Sequence, residues 1–152
     1  MRATLLAVGR LKAGPLHDLF ETFRGRLSFP LTVKEIEEKR PLPAAELKRR
    51  EGELLLSALP TAAKVVALDE RGKALTSAQF AARLAEWVDG GDNEIAFVIG
   101  SAEGLHDEVR RRADLVLALG PMTWPHLLVR VLLAEQLFRA QSIWRGHPYH
   151  RD

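Results

Sequence analysis

The sequence predicts an α/β protein with a mostly parallel sheet and helices on both faces of that sheet. Several short apolar runs lack the alternation of a strand with one wet face, and such runs are typical of strands buried on both sides. Segments with helical spacing separate the runs, which favours crossover connections and a parallel sheet. The 152 residues contain no repeat, low-complexity tract or linker, so we predict a single domain over residues 1–152.

The first half of the chain predicts two strands and two helices. A continuous apolar run, Thr4–Val8, indicates the first strand. After Pro15, apolar residues at helical spacing indicate a helix: Leu16, Leu19, Phe20, Phe23 and Leu27. The β-prone segment Leu31–Ile36 predicts the second strand, and the polar stretch Glu37–Pro43 precedes a second helix. One face of that helix carries Leu47, Leu54, Leu55 and Ala58.

The middle of the chain predicts a buried strand over Lys64–Asp69, closed by a loop over Glu70–Lys73. Thr76 or Ser77 can cap the next helix, because a side-chain oxygen there accepts a hydrogen bond from a free backbone N–H. The apolar face of this helix carries Phe80, Leu84, Trp87 and Val88. The pair Gly90-Gly91 ends it.

The last third of the chain predicts two more strands, Glu94–Ile99 and Asp114–Leu119. Between them lie a loop, Gly100–Leu105, and a short helix, His106–Arg112. A turn over Gly120–Pro125 leads into the final helix.

The final helix is apolar around most of its circumference. Its apolar residues are Leu127, Leu128, Val129, Val131, Leu132, Leu133, Leu137 and Phe138. A surface helix needs one apolar stripe. We therefore expect this helix to be covered on two sides, by its own sheet and by a second surface.

Composition excludes several classes of site. The chain has no cysteine, so disulfides, thiolate catalysis and cysteine-based zinc sites are ruled out. Its net charge is only +2, so RNA binding would need a local basic face. No apolar run is long enough to span a membrane, and the short apolar start lacks a signal-peptide cleavage site. We expect a cytoplasmic protein.

Three predicted strand ends are candidates for a ligand site: Leu68-Asp69, Ile99-Gly100 and Leu119-Gly120. Open parallel sheets bind ligands beyond the carboxyl ends of their strands. In the Gly100–Gly104 loop, glycine allows a close approach of backbone to ligand. Neither G-x-G-x-x-G nor G-x-x-x-x-G-K-[ST] occurs, which argues against a dinucleotide site or a P-loop. The stretch GPMTWP (Gly120–Pro125) is either buried under the final helix or the wall of an apolar pocket, and these two interpretations are compatible.

The C-terminal tail holds two histidines, a tyrosine and an arginine. His147 and His150 are spaced like metal ligands, but Pro148 disfavours a regular helix and no third ligand is evident, so we predict no metal site. A frayed terminus is the plain alternative. Because Trp144 and Tyr149 are costly to leave in water, we favour a tail that docks near the ligand site.

These segments resemble the RlmH family, small SPOUT-class methyltransferases that modify N3 of a pseudouridine in large-subunit (23S) ribosomal RNA. The resemblance covers essentially the full length of the chain, and the last two of its motifs together are very specific to the family. The motifs are LLAVGRLK (Leu5–Lys12), ALDERGK (Ala67–Lys73), FVIGSAEGL (Phe97–Leu105), MTWPHLLVRVLLAEQLFRA (Met122–Ala140) and HPYHRD (His147–Asp152).

The resemblance implies a SPOUT (α/β-knot) fold, whose C-terminal segment threads through a loop to form a trefoil knot, an exception among protein folds. It also implies that the knot binds the cofactor S-adenosylmethionine. The matching cofactor-binding positions are Leu68, Gly100, Leu119, Gly120, Pro121, Met122, Thr123 and Trp124. Many relatives have Gly-Gly where this chain has Gly100-Ser101, so a positive φ at the second position would strain Ser101.

The resemblance further implies a homodimer with a composite active site, in which one subunit holds the cofactor and the other contributes its tail. The matching catalytic residues are Tyr149, His150 and Arg151. Candidate RNA contacts at a dimer groove are Arg10, Lys12, Arg71, Lys73, Arg130 and Arg139. Each of these could equally be a solvated surface charge. Because the net charge is weak, a shaped RNA or the assembled ribosome should supply much of the recognition.

In the implied reaction, N3 of the pseudouridine attacks the sulfonium methyl group in line. His150 could take the N3 proton, but an ordinary imidazole, with a pKa of about 6.5, is a weak match for that proton. Orientation of the base, with water as the proton acceptor, is at least as good an explanation. Two other functions remain open: a SPOUT methyltransferase acting on transfer RNA, and a non-catalytic dimeric RNA-binding or ribosome-assembly factor. A nucleotide-binding oxidoreductase would lack its glycine fingerprint here.

Overall fold

The fold is built on a parallel sheet, seen in a computed structural model that describes residues 1–151. Over these residues the sheet has five strands in the order β2-β1-β4-β3-β5, and each neighbouring pair is parallel. This arrangement confirms the predicted α/β class. In chain order the elements are β1 (Arg2–Val8), α1 (Pro15–Gly25), β2 (Leu31–Ile36), α2 (Ala44–Ser57), β3 (Lys64–Ala74), α3 (Ser77–Asp89), β4 (Glu94–Ile99), α4 (Asp107–Arg112), β5 (Leu115–Ala118) and α5 (His126–Trp144).

Alternate side chains of the strands are buried against opposite layers of helices. In β1, Leu5 and Ala7 belong to a core cluster shared with α1, α3 and α5. Leu6 and Val8 belong to a second cluster, shared with α2 and α4. Because successive side chains of a strand point to opposite faces, strands covered on both sides must be apolar at every position. The predicted helices on both faces are confirmed.

Local capping fixes the start of two helices. Thr76 is the cap of α3, since its Oγ1 accepts the Gln79 N–H at 3.1 Å while Gln79 Oε1 accepts the Thr76 N–H at 2.9 Å. This reciprocal pair is a capping box. At α4, His106 Nδ1 accepts the Glu108 N–H at 3.2 Å. His106 therefore caps the short helix instead of beginning it.

β3 is longer than predicted. The segment Glu70–Lys73, predicted as a loop, belongs to this strand. Its pairing with Leu117 of β5 shifts from Leu68 to Lys73, so the residues between them bulge. An added Cβ on Gly72 would lie 2.5 Å from a backbone carbonyl oxygen of β5. The loop prediction is wrong because it relied on the polar side chains of this segment. These side chains are exposed, whereas the backbone of the segment pairs with β5.

α5 contacts both α1 and α3 on the same face of the sheet. Leu133 and Leu137 on its inner side are fully buried. The chain itself therefore supplies most of the cover that the apolar composition demands. Leu127 and Leu132 stay half-buried and belong to neither core cluster, so this strip of α5 is left for a second surface. Within residues 1–151, no helix combines the length and apolar character needed to cross a membrane.

Candidate functional site

A cavity of about 560 Å³ lies at the carboxyl ends of β3, β4 and β5. Small-molecule sites typically measure ~300–1,000 Å³. Most predicted cofactor-binding residues lie on its wall: Leu68, Gly100, Leu119, Gly120, Met122, Thr123 and Trp124. Pro121, predicted with them, is exposed in the same turn and is not on this wall. The structure thus brings together the three strand ends predicted from the sequence.

The loop after β4 closes on itself and forms one side of the cavity. The Gly104 N–H donates to the Ser101 carbonyl oxygen at 2.9 Å. Gly100 is required at the start of the loop, because an added Cβ would lie 2.8 Å from the Gly104 carbonyl oxygen. Among residues 1–151, Ala62 is the one non-glycine residue with positive φ, so the backbone of Ser101 is not strained there. The serine is accommodated without the strain that a positive φ would have caused.

Glu51 of α2 holds this loop through a hydrogen bond with Ser101. Its carboxylate accepts a hydrogen bond from the Ser101 hydroxyl at 3.1 Å, and the side chain is buried. Burial raises the pKa of the Glu51 carboxyl, and the neighbouring Glu103 carboxylate raises this pKa as well. Sequence reasoning missed Glu51. The available signal was an acidic residue in line with Leu47 and Leu55 on the apolar face of the helix.

The turn between β5 and α5 is a wall of the cavity and is not buried under α5. Met122 is 70% exposed and Trp124 is 40% exposed. The Trp124 Nε1–H donates to the Leu119 carbonyl oxygen at 3.0 Å, which fixes the indole against the turn. The Thr123 hydroxyl donates to Glu70 at 3.2 Å. Of the two readings of GPMTWP, the pocket wall is the one that the structure supports.

The cavity carries charges of both signs. Asp69 accepts the Arg71 N–H at 2.9 Å and lies 3.4 Å from the Arg110 guanidinium. Arg110 also donates to the Leu105 carbonyl oxygen. Lys48 of α2 lies on the same wall. A ligand with one ammonium and one carboxylate group would find partners of opposite charge here.

His126, the first residue of α5, also lies on the cavity wall. Burial lowers the pKa of its imidazole, and the Arg130 cation one turn later lowers this pKa as well. Both effects favour the neutral form of the ring. Sequence reasoning gave His126 no role, although it is part of the motif MTWPHLLVR.

Arg130 is a structural residue, which corrects its predicted role in RNA binding. Its side chain is 1% exposed, and its guanidinium donates to Glu35 at 2.6 Å. It also donates to the carbonyl oxygens of Val8 and Gly9 at 3.2 and 2.8 Å. The ion pair thus joins α5 to the ends of β1 and β2. The apolar neighbours of Arg130 in the sequence could have signalled its burial, but the predicted RNA contact set included it.

The C-terminal tail packs on α5 of its own chain. The Tyr149 ring lies 4.6 Å from the Phe138 ring, centroid to centroid, and its hydroxyl donates to Glu135 at 3.0 Å. Burial raises the pKa of Tyr149, and the Glu135 carboxylate raises this pKa as well. Arg139 lies over the Tyr149 ring, is 3.2 Å from His150 Nδ1 and pairs with Glu135. Arg139 is therefore engaged within its own chain instead of projecting toward RNA.

The tail and the cavity of one chain do not meet. Neither Tyr149 nor His150 lies on the cavity wall, and Arg151 is exposed. Within one chain, the tail and the cavity therefore form separate surfaces. Across residues 1–151, no group of three or more histidine or acidic side chains could hold a metal ion.

Comparison with known proteins places this geometry among methyltransferases. Residues 1–150 match the family described as predicted SPOUT methyltransferases. The chain is 61% identical over 151 residues to the ribosomal RNA large subunit methyltransferase H of Rhodospirillum centenum, with 99% of each chain covered.

Solved structures share the fold at low sequence identity. A protein from Bordetella pertussis, described as a probable methyltransferase, superposes with a TM-score of 0.60 at 14% identity, covering 91% of this chain and 95% of its own. A proposed methyltransferase from Legionella pneumophila, in complex with the bound cofactor S-adenosylmethionine, gives a TM-score of 0.50 at 14% identity. That match covers 92% of this chain and 66% of the other.

Proposed function

Because this chain belongs to the SPOUT methyltransferase family, we propose that it uses S-adenosylmethionine to methylate N3 of a pseudouridine in large-subunit (23S) ribosomal RNA. The substrate class follows the name of the relative that is 61% identical over nearly the whole chain. The main support for this reaction is the cavity at the ends of β3, β4 and β5, whose wall holds most of the predicted donor-binding residues.

The cavity suits this methyl donor chemically. Trp124 and Leu119 offer an apolar wall for an adenine ring, and the nearby strand ends offer backbone hydrogen-bonding groups. Asp69, Arg110 and Lys48 offer charges for the ammonium and carboxylate of the methionine part. When bound, S-adenosylmethionine supplies a methyl group that its sulfonium activates. The protein has to hold this methyl group in line with the attacking nitrogen, and positioning can lower the barrier by several kcal/mol.

A homodimer with composite sites is part of the proposal. The tail docks on α5 of its own chain, away from its own cavity, so Tyr149, His150 and Arg151 would reach the cavity of a partner copy. Exposed Met122 and Trp124, together with half-buried Leu132, offer apolar surface for this interface. The trefoil knot stays a prediction of the family resemblance.

Basic side chains near the cavity would bind the RNA backbone. Four exposed basic residues are candidates. Arg10 and Lys12 follow the carboxyl end of β1, and Arg71 and Lys73 lie at the bulge of β3. Arginine and lysine contacts to phosphates position an RNA without reading its sequence. Since the substrate is ribosomal RNA, the proposed reaction takes place in the cytoplasm.

Two measurements test the proposal. Calorimetry should show saturable binding of S-adenosylmethionine to the wild-type protein and much weaker binding to Gly100→Val, whose side chain would collide with the Gly104 carbonyl. Mass spectrometry of RNA from a deletion strain should show loss of N3-methylpseudouridine from 23S ribosomal RNA. Loss of a methyl group from transfer RNA instead would support the transfer-RNA enzyme, and an absence of saturable heat would support a non-catalytic RNA-binding factor.

A further inference from the structure

His126, the first residue of α5, lines the cavity and is half-buried. The residue lies on the cavity wall, and its Nε2 is 3.9 Å from the place that a Cβ on Gly9 would occupy. This puts the ring beside the carboxyl end of β1, the strand that neighbours β4 in the sheet. Within residues 1–151 no group hydrogen-bonds the ring, and its one resolved electrostatic neighbour is Arg130. A half-buried ring with both nitrogens available is suited to a ligand.

The C-terminal tail offers donors instead of a proton acceptor. The Tyr149 hydroxyl already donates its proton to Glu135. A guanidinium can only donate, so in the contact with Arg139 the acceptor is His150 Nδ1. That ring nitrogen is therefore already engaged with Arg139. Arg151 is likewise a donor, so the tail can orient the oxygens of a uracil-type base but is poorly arranged to take its N–H proton.

The surroundings of His126 keep its ring neutral. Burial lowers its pKa, and Arg130 on the next turn of the helix lowers this pKa as well. Glu35 neutralises part of the Arg130 charge through their ion pair. The other charged groups that line the cavity come from α2, β3, the loop after β4 and α4: Lys48, Asp69, Glu70, Arg71, Glu103 and Arg110.

We propose that His126 is a catalytic residue, whose neutral imidazole accepts the N3 proton of the target base during methyl transfer. This inference rests on the proposed function. The lone pair of N3 forms the N3–CH₃ bond, and the electrons of the N3–H bond stay on N3 as the proton leaves. The bond from sulfur to the methyl carbon breaks, and its electrons stay on sulfur. The proton moves to the imidazole, so the positive charge passes from the sulfonium to His126 and the total charge is unchanged.

A weakly basic acceptor is sufficient for this step. As the bond from N3 to the methyl carbon forms, the N3 proton becomes more acidic, so it can pass to an imidazole late in the reaction. The environment that lowers the pKa of His126 then favours release of the proton to water and returns the ring to its neutral form.

Single-turnover methylation with saturating S-adenosylmethionine and ribosomal substrate tests the role. His126→Asn should lower the rate by ~100-fold or more, the usual contribution of a general base, without a matching loss of donor affinity by calorimetry. The wild-type rate should fall as the pH falls through the pKa of His126. The rate of His126→Asn should not show this decrease at low pH. Added imidazole should restore part of the rate of His126→Ala and none of the rate of His150→Ala. His17→Asn, at a partly exposed position in α1, is the matched control.

Nuclear magnetic resonance of the ring nitrogens provides a readout that does not depend on activity. The His126 signals, assigned by their loss in His126→Asn, should show a neutral ring at pH 7 and a shift on addition of S-adenosylmethionine. A protonated ring at pH 7, or a His126→Asn enzyme with wild-type rate and pH profile, overturns the role of His126. A wild-type protein that binds no donor would instead overturn the proposed function.

Discussion

Arg130 and Glu51 are ionisable side chains that are buried in the fold. Arg130 holds the ends of β1 and β2 to α5 through Glu35 and two carbonyl oxygens. Glu51 holds the loop after β4 through the Ser101 hydroxyl. Removing the Glu35 carboxylate would leave the Arg130 guanidinium buried without its partner, at a cost of about 3–5 kcal/mol. Arg130 and Glu51 therefore fix the positions of neighbouring backbone segments.

Replacement of Glu51 by glutamine should change the pH dependence of stability. The pKa of Glu51 is raised in the folded protein, so the folded state binds this proton more tightly than the unfolded state does. The protonated Glu51 carboxyl therefore stabilises the folded state fully below pH 4.5, the ordinary pKa of a glutamate. This stabilisation is lost as the pH rises through the raised pKa of Glu51. Glu51→Gln should therefore be at least as stable as wild type at neutral pH, and its stability should vary less above 4.5.

Thermal melts at a series of pH values measure this effect. Glu53→Gln, two residues along the same helix in a half-exposed ion pair with Arg50, is the control and should leave the pH profile unchanged. A Glu51→Gln melt profile parallel to that of wild type would contradict the buried-carboxyl account.

β3 and α5 take their positions from contacts with distant parts of the chain. The bulge in β3 brings Gly72 against the backbone of β5, next to the turn that forms the cavity wall. α5 is buried along its inner side against the sheet, α1 and α3, and the tail returns to pack on Phe138. Together these two elements fix where the wall of the cavity and the tail lie.

Gly72→Ala should destabilise the protein and weaken donor binding. Its new Cβ would lie 2.5 Å from the Val116 backbone, so β3 and β5 would have to separate. Overpacking of this kind costs ~1–3 kcal/mol. Gly25→Ala at the end of α1, where an added Cβ meets nothing within 4 Å, is the matched control. Denaturant unfolding and donor calorimetry measure both effects, and equal stabilities of the two variants would refute the close approach of β3 to β5.

Two neighbouring leucines of α5 should respond differently to aspartate. Leu133 is 1% exposed in the core, so Leu133→Asp should unfold the protein because a buried carboxylate has no partner there. Leu132 is half-buried beside a second cavity of about 330 Å³, so Leu132→Asp should stay folded and weaken the proposed dimer. Circular dichroism reports folding, and analytical ultracentrifugation reports assembly. A folded, fully dimeric Leu132→Asp protein would argue against an interface on this strip.

Within one chain, the cavity proposed to bind the methyl donor lies apart from the tail residues proposed to act in catalysis. The cavity lies at the ends of β3, β4 and β5, whereas Tyr149 and His150 are held on the C-terminal half of α5. A twofold dimer can bring the tail of one copy to the cavity of the other, since both copies contribute equivalent surfaces. Each dimer would then contain two composite sites.

Mixed dimers should recover activity that neither parent variant has. Gly100→Val should abolish donor binding, and Tyr149→Ala should abolish methylation while it leaves donor binding and the dimer intact. In a mixed dimer one site combines an intact cavity with an intact tail. Random pairing makes half of the dimers mixed, so the activity should reach about a quarter of wild type. The measurement is methyl incorporation after co-expression, and no activity above the separate variants would exclude a site shared in this way.

The sequence by itself determined the parallel sheet, the helices on both faces and the strand ends that form the cavity. Leu31–Ile36 and Glu94–Ile99 are strands with the predicted bounds, because apolar runs and their flanking breakers are local signals. The tertiary structure decided the extension of β3, the burial of Arg130, the contact of Glu51 with Ser101 and the docking of Tyr149 on α5. These features depend on which distant segments become neighbours, and periodicity along the chain carries no information about that choice.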